Sequence, residues 1–375
     1  MRLVIIGGGI LGTAHALAAI RRGHDVVHLE RETEARGATV RNFGLVWVSG
    51  RASHELDAAL QSRDLWEEIG GRIAGVGFRP TGSITLLRTP DEVAVAEEML
   101  ARADAVDRGF ELLDPTDVRV LNPALRGKYL AGLHCSRDAA VESRVALPAI
   151  RAYLAATGRY DFHAGTEARS VTSSTSGATV RDDLGNTYDA DLVVFCPGAN
   201  HTGLTRELAG ELPVRRVRLQ MMQTAPLGEP FPTAVADGDS FRYYPAFAGT
   251  ALDALAGNQA QDFTAAEHKM QLLCVQRLHG GLTIGDTHEY AEPFAFDVDE
   301  SPYEYLTGVV EELLGRKLPE VVRRWAGVYS QSLDPSELVH RKQVDDHTWV
   351  VTGVGGRGMT LSPFLGEQSA DLFNL

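Results

Sequence analysis

The sequence predicts an α/β fold, a Rossmann-like domain interrupted by an α+β domain built on a largely antiparallel sheet. Three observations predict it. Residues 3–12 read Leu-Val-Ile-Ile-Gly-Gly-Gly-Ile-Leu-Gly, a strand–glycine–helix signature at the N-terminus. Between residues 213 and 295 the pattern changes to short strands. Near the C-terminus a second strand–glycine–helix unit follows, residues 349–353 running into Gly353-Val-Gly-Gly-Arg-Gly-Met359.

Residues 3–6 are apolar and largely β-branched, which suits a buried parallel strand. Gly7 allows the tight turn out of that strand. Gly9 leaves room for a pyrophosphate against the backbone, and Gly12 lets the next helix pack closely. The helix covers about residues 10–22, with Ile10, Leu11, Ala14, Leu17 and Ala18 at helical spacing. Its N-terminal N–H groups and dipole favour an anionic diphosphate. Gly23 stops it. Residues 25–30 form the second strand, ending on Glu30, where a carboxylate can accept bonds from ribose hydroxyls. The expectation is a dinucleotide bound at the N-terminus and hence an oxidoreductase. The fingerprint alone does not separate FAD from NAD.

The small and polar stretch 37–44 reads as a loop, with Trp47 just beyond it. Residues 52–69, 92–108 and 147–156 have helical patterns; residues 82–87 look like a strand of another unit, and 161–164 like a strand of the first. Residues 170–177 are a polar, hairpin-like stretch. With 178–181, a turn at 184–186 and 187–188 they suggest a small antiparallel insert. Residues 191–196 are a buried-type strand running into Pro197-Gly198, at a strand end of the kind where cofactors bind in open α/β sheets. Strands follow at 218–224, 241–245, 272–277 and 282–285, the last two joined by a hairpin turn at His279-Gly280-Gly281. A helix covers 303–314, and the last helix begins near Leu361. The predicted nucleotide-binding domain is therefore discontinuous, residues 1–80, 140–212 and 322–375. The inserted domain takes 81–139 and 213–321.

A chain of 375 residues suggests about two domains. The formal net charge of −14 argues against nucleic-acid partners, which need a basic surface. Cys135, Cys196 and Cys274 are far apart with no CxxC pair, which fits a reducing cytoplasm. No signal peptide is expected, nor an apolar run of ~20 residues that would span a membrane. GxSxG and HExxH are absent. His24 and His28 have an HxxxH spacing, but extended backbone would hold the rings roughly 13 Å apart. No metal is expected.

Taken in order, Gly7-x-Gly9-x-x-Gly12, Glu30, the loop 37–44, the strand ending Cys196-Pro197-Gly198 and the segment 353–360 resemble a known family. They are similar to the flavin amine oxidases related to glycine oxidase, sarcosine oxidase and D-amino-acid oxidase. Arg41-Asn42-Phe43-Gly44 and the tail Gly-Arg-Gly-Met-Thr-Leu-Ser-Pro most resemble a subgroup associated with phosphonate catabolism. The resemblance implies FAD as cofactor. It places Gly7, Gly9, Ile10, Leu11 and Gly12 at the diphosphate, and Glu30 with Arg31 at the adenosine ribose. Thr39, Arg41, Asn42 and Gly44 would line the loop over the diphosphate and ribityl chain, and Ala168 would meet adenine through its backbone. Cys196 and Gly198 would flank the dinucleotide. Gly355, Gly356, Gly358, Met359 and Thr360 would offer helix N-terminal N–H groups to the flavin, where a dipole favours the anionic reduced form; a plain glycine turn is the alternative.

The implied reaction is oxidation of a small acidic primary or secondary amine, such as 2-aminoethylphosphonate or its N-methyl form. Hydride passes to flavin N5, the imine hydrolyses, and oxygen reoxidises the flavin with release of peroxide. Such a reaction needs little acid–base machinery, because the cofactor carries the hard step. Two departures stand out. The arginine that grips the carboxylate in glycine oxidase-like enzymes, shortly after a Trp/Ala-Gly turn, is replaced by Tyr329 after Trp325-Ala326-Gly327. That puts a simple α-amino acid in doubt as substrate. No cysteine follows Cys274, so FAD is expected to be non-covalent. An acidic substrate group calls for arginine donors. The candidate substrate residues are Arg242, Tyr243, Tyr244, Tyr329, Arg357 and Trp47, with Gln276 and Arg277 weaker. A glycine, sarcosine or D-amino-acid oxidase, a dehydrogenase with a non-oxygen acceptor, an NAD(P)-dependent reductase and an RNA-linked flavin domain remain as alternatives. The oligomeric state is open, a homo-oligomer included.

Overall fold

The computed structural model describes residues 1–375. Strand Arg2–Ile6 lies inside a six-stranded sheet in the order His340–Asp345, Thr348–Thr352, Leu192–Phe195, Arg2–Ile6, Asp25–Glu30, Tyr160–Ala164. All neighbours are parallel except the outermost pair, His340–Asp345 with Thr348–Thr352. Because successive side chains point to opposite faces, the first strand serves two cores. Leu3 and Ile5 pack with Leu11, Leu17, Trp66, Leu147 and Leu361 from the covering helices. Val4 and Ile6 pack with Ala178 and Val180 of a three-stranded antiparallel sheet on the other face. A strand covered on both faces must be apolar at every position, which is why it reads as an unbroken apolar run.

The helices on the first face are Ile10–Arg21, Leu56–Arg72, Ala146–Ala155 and Gly358–Leu372. A Cβ at Gly366 would lie 2.6 Å from the carbonyl oxygen of Ala14, so a glycine permits the close approach of the first and last helices. The Trp66 indole N–H donates to the Met359 carbonyl at 2.8 Å and ties the second helix to the C-terminal turn.

The second sheet has eight strands in the order Val321–Ser332, Val214–Pro226, Gly281–Gly285, Leu273–Gln276, Ala234–Asp237, Ser83–Leu87, Ala131–Cys135, Phe110–Leu113. Only Ala234–Asp237 and Ser83–Leu87 pair in parallel. Helix Ser301–Leu314 packs one face through Tyr303, Leu306 and Leu313 against Ile84, Met222 and Ile284. The other face carries Met221, Leu273 and Val275, packed with Val95, Met99, Trp47 and Tyr244. No helix is long and apolar enough to cross a membrane.

Three expectations are corrected. Residues 241–245 are not a strand. Asp237 caps a 3₁₀ turn, Gly238–Arg242, by accepting from the Ser240 N–H at 3.2 Å and the Ser240 hydroxyl at 2.7 Å. Trp325-Ala326-Gly327 is not a turn. These residues sit within strand Val321–Ser332, opposite Met221, Gln220 and Leu219. That strand belongs to the large sheet, so the return to the first domain, placed at 322, comes after Ser332. It is an edge strand whose exposed Arg323 and Arg324 break the apolar alternation.

Candidate active site

A cavity of about 1000 Å³ runs from the glycine turn after strand Arg2–Ile6 to the face of the large sheet. At its first end the turn is imposed by sterics. Gly7 has φ +106°, and a Cβ there would lie 2.2 Å from the Cys196 carbonyl oxygen. A Cβ at Gly12 would lie 2.0 Å from the Gly7 oxygen. At Gly9 the nearest atom to an added Cβ is the Thr39 hydroxyl, 3.4 Å away, so this glycine keeps space open rather than closing a contact.

Behind the turn, the buried His28 is held neutral by burial, its pKa lowered to about 3. Its Nε2 sits 3.0 Å from the Gly7 oxygen and its Nδ1 2.8 Å from the Tyr160 hydroxyl. A carbonyl only accepts, so Nε2 carries the proton and Tyr160 donates to Nδ1. His28 is a prop for the turn and is paired with no metal-type partner.

The helix that starts at Ile10 has no side-chain cap on Gly9 and no acidic residue in its first turn. Thr39 Oγ1 accepts from the Ile10 N–H at 3.0 Å. The Glu30 carboxylate accepts from the backbone N–H groups of Gly8 at 2.6 Å and Glu32 at 2.9 Å, which holds it at the cavity edge. An open glycine, a helix N-terminus free of acids and a fixed carboxylate at the second strand's end fit a dinucleotide diphosphate and ribose. Ile10, Leu11, Arg31, Thr39, Arg41, Asn42, Ala168, Cys196 and Gly198 also line the cavity, as do Gly355, Gly356, Gly358, Met359 and Thr360.

Several of these side chains have an internal task as well. Arg41 donates to the carbonyls of Arg36 at 2.8 Å and Ala326 at 2.6 Å. Asn42 donates to the Ala38 and Thr39 carbonyls and accepts from the Gly44 N–H. Both shape the loop. Gly44 is a correction: it does not line the cavity. Its φ of +70° and its contact with Val141, whose carbonyl oxygen would sit 2.1 Å from a Cβ, make it a packing glycine.

The substrate candidates divide sharply. Arg242 is outside the cavity. It pairs with Asp239 at 2.7 Å and donates to the Gln259 carbonyl at 2.8 Å, because the 3₁₀ turn points it away. Gln276 and Arg277 are also outside; Arg277 donates to the Val141 and Phe43 carbonyls. Arg357 does line the cavity, but its donors are committed. It pairs with Glu55 and donates to the carbonyls of Val354 at 3.0 Å and Glu337 at 2.9 Å. Its place in the structure is that of a clamp on the glycine turn.

Tyr243, Tyr244, Tyr329 and Trp47 line the cavity. The Trp47 and Tyr244 rings lie 5.9 Å apart, and the Tyr329 hydroxyl lies against Gly356, 3.6 Å from an added Cβ. Burial, above all, raises the Tyr243, Tyr244 and Tyr329 phenols, so all three are neutral donors at neutral pH.

Sequence reasoning missed Arg51, Gln271, Asp286, His288 and Tyr290, all of which line the cavity. Arg51 is 9% exposed and makes no side-chain hydrogen bond or ion pair; its Nε is fully buried without a partner. Burial raises the Glu55 carboxyl, but Arg51 and Arg357 outweigh it and hold the net value below the ordinary one. Asp286 is buried in the same cavity and has no cationic partner; Gln271 donates to its Oδ1 at 3.0 Å. His288 stacks on Tyr243 at 4.2 Å and is kept neutral by burial, its pKa near 4. Among more than thirty basic residues nothing in the sequence singles out Arg51. For Asp286 a signal exists: a lone acid directly after the apolar strand Gly281–Gly285.

A family described as FAD dependent oxidoreductase matches residues 2–372. Glycine oxidase of Geobacillus kaustophilus is 29% identical over 206 residues, 52% of this chain and 54% of that protein. N-methyl-L-tryptophan oxidase of Salmonella arizonae is 23% identical over 381 residues, 98% of this chain and 93% of that one. Another curated relative is spanned over only 32% of its own length. The crystal structure of the Geobacillus kaustophilus glycine oxidase superposes with a TM-score of 0.77 at 22% identity, over 100% of this chain and 95% of that one. The fold is thus common to both molecules.

Proposed function

We propose a function from one premise: the chain belongs to the DAO family of FAD-dependent oxidoreductases, which it matches over residues 2–372. In this reading it oxidises a small acidic primary or secondary amine. The observation that carries the reading is Arg51, a buried guanidinium in the cavity that the protein itself leaves without a charged partner at bonding distance. A buried charge is costly unless compensated, and guanidinium matches the planar oxygens of a carboxylate or phosphonate. The names of the glycine and N-methyl-tryptophan oxidases among its relatives support an amine. The stretches 41–44 and 356–363 support an aminophosphonate, 2-aminoethylphosphonate or its N-methyl form; the names of the oxidase relatives support oxygen as electron acceptor.

In the same reading FAD is held non-covalently. Gly7, Gly9 and the first turn of helix Ile10–Arg21 would hold the diphosphate, Glu30 the ribose, and the backbone at Ala168 the adenine. The N-terminus of helix Gly358–Leu372, which lines the cavity, would offer its N–H groups to the flavin. Bound FAD supplies the two-electron acceptor. The protein's own part is to orient the amine between Arg51 and the phenols of Tyr243, Tyr244 and Tyr329, and to keep water out.

The test is an absorption spectrum of the purified protein, then anaerobic addition of 2-aminoethylphosphonate, its N-methyl form, glycine and sarcosine in turn. Bleaching by a phosphonate and peroxide formation on admitting air are expected. Bleaching only by glycine or sarcosine removes the phosphonate. Bleaching by none, with FAD bound, removes the acidic amine.

A further inference from the structure

We propose that Asp286 is the cation-binding pole of the cavity and accepts the proton of the substrate's ammonium group. The inference rests on the amine-oxidation reading. Asp286 lines the cavity at 4% exposure, and only one of its oxygens is engaged, by Gln271 at 3.0 Å. No arginine, lysine or charged histidine pairs with it.

Tyr243, Tyr244, Tyr290, Tyr329 and Gln271 line the cavity with Asp286, from several parts of the fold. Tyr243 and Tyr244 come from the link just after the 3₁₀ turn Gly238–Arg242, Tyr290 from the segment after strand Gly281–Gly285, Tyr329 from strand Val321–Ser332 and Gln271 from the segment before Leu273–Gln276. Asp286 raises all four phenols, in addition to the larger effect of burial. His288 stacks on Tyr243 and is neutral. The cations of this end, Lys269 and Arg215, lie over the Tyr290 ring at 4.6 and 4.4 Å and bond no oxygen of Asp286. A buried carboxyl in a cavity also lined by phenols, with no cation of its own, suits an ammonium ligand.

Tyr244 joins the two poles. It lines the cavity with them, and beyond the effect of its own burial its phenol is raised by Asp286 and lowered by Arg51. Arg51 and Asp286 line one cavity, so a molecule with an acid at one end and an amine at the other has a pole for each.

The step is a proton transfer. An N–H bond of the substrate ammonium breaks and an O–H bond forms on the Asp286 carboxylate. The nitrogen keeps its electron pair and is left neutral, as release of an α-hydride requires. No redox change accompanies it. Burial raises the Asp286 carboxyl to about 7, so both protonation states are accessible near neutral pH.

The test uses the FAD-loaded protein and Asp286→Asn, which keeps the volume and the bond from Gln271; Asp286→Ser replaces it if the Asn variant loses its flavin. Binding of methylammonium and of ethylphosphonate is read from the flavin spectrum across the pH range around 7. In the unaltered protein methylammonium affinity should rise with pH as Asp286 ionises. The variant should lose that limb and bind methylammonium roughly tenfold more weakly, with no loss for ethylphosphonate. Anaerobic bleaching by an amine should slow by at least about tenfold and lose the same limb. Unchanged methylammonium binding, or equal loss for both probes, overturns the proposal. If no amine bleaches the flavin, the amine-oxidation reading fails, and the methylammonium arm still decides Asp286.

Discussion

Arg51, Arg357 and Asp286 are three charged side chains of one cavity with three different positions. Arg51 has no bonded partner, so its loss should be felt by ligands and little by the fold. Arg51→Gln should weaken ethylphosphonate binding to the FAD-loaded protein by about 1.5–3 kcal/mol. Arg51→Lys should restore only part, because an ammonium lacks the planar fork. Unchanged binding in the Gln variant would remove Arg51 as the anion site. Arg357 makes bonds to Glu55, Val354 and Glu337. Arg357→Ala should therefore destabilise the fold, by at most about 3 kcal/mol, through the carboxylate left behind in a buried setting. Thermal unfolding checks this; a purely kinetic defect at unchanged Tm would make Arg357 a substrate ligand instead.

Asp286 links pH to stability. Its folded-state pKa of about 7 lies above the ordinary 3.8, so the folded state holds the proton more tightly. The contribution of the neutral form is fully present below about 3.8 and is lost as pH rises through 7. Asp286→Asn cannot ionise. It should unfold at a higher temperature than the unaltered protein at pH 8, by an equivalent of at most about 4 kcal/mol. The gain should shrink toward pH 4. An equal gain at both pH values would mean that ionisation is not its cause.

At the scale of elements, the first strand, turn and helix form a unit in which each glycine has its own reason. Gly12→Ala drives a methyl to 2.0 Å from a backbone oxygen and should cost both stability and FAD retention. Gly9→Ala meets only a hydroxyl at 3.4 Å. It should leave the unfolding temperature of the FAD-free protein unchanged while weakening FAD, since the space it fills faces the cavity. FAD titration of both variants beside their melting curves separates the two effects; a Gly9→Ala protein that binds FAD normally would move the diphosphate elsewhere. Much of this unit was legible in the sequence, because glycine spacing, apolar runs and the acid after the second strand are all local signals. The strand Val321–Ser332 was not, since an edge strand exposing Arg323 and Arg324 carries no clean alternation. Nor was the 3₁₀ turn at Gly238–Arg242, where the capping by Asp237 outweighs the strand propensity of Phe241, Tyr243 and Tyr244.

On the scale of the whole molecule, the two sheets meet across the cavity, and a bound dinucleotide would touch both ends of the chain. All three cysteines are buried, and burial raises each thiol, so none is a ready thiolate nucleophile. Heat or acid precipitation should therefore release the yellow colour completely into the supernatant. Colour that stays with the precipitated protein would mean a covalent bond to FAD. Because FAD binds the folded chain, an excess of about a hundred times its Kd should stabilise the protein by roughly 2.7 kcal/mol.

The sequence by itself determined the dinucleotide end of this protein. Gly7, Gly9, Gly12 and Glu30 act through backbone geometry and a spacing of a few residues, and such constraints are written locally. The other end of the cavity, where the substrate is proposed to bind, was decided only by the tertiary structure. Arg51, Asp286 and Tyr329 lie far apart in the chain and are brought to one cavity by strand pairing in the large sheet and by the loop beyond Trp47. Whether an arginine is free or committed depends on which carboxylates and carbonyls surround it, and those neighbours are set by the fold. That is why Arg242 and Arg357 were expected to grip the substrate, while the cavity arginine left without a partner is Arg51.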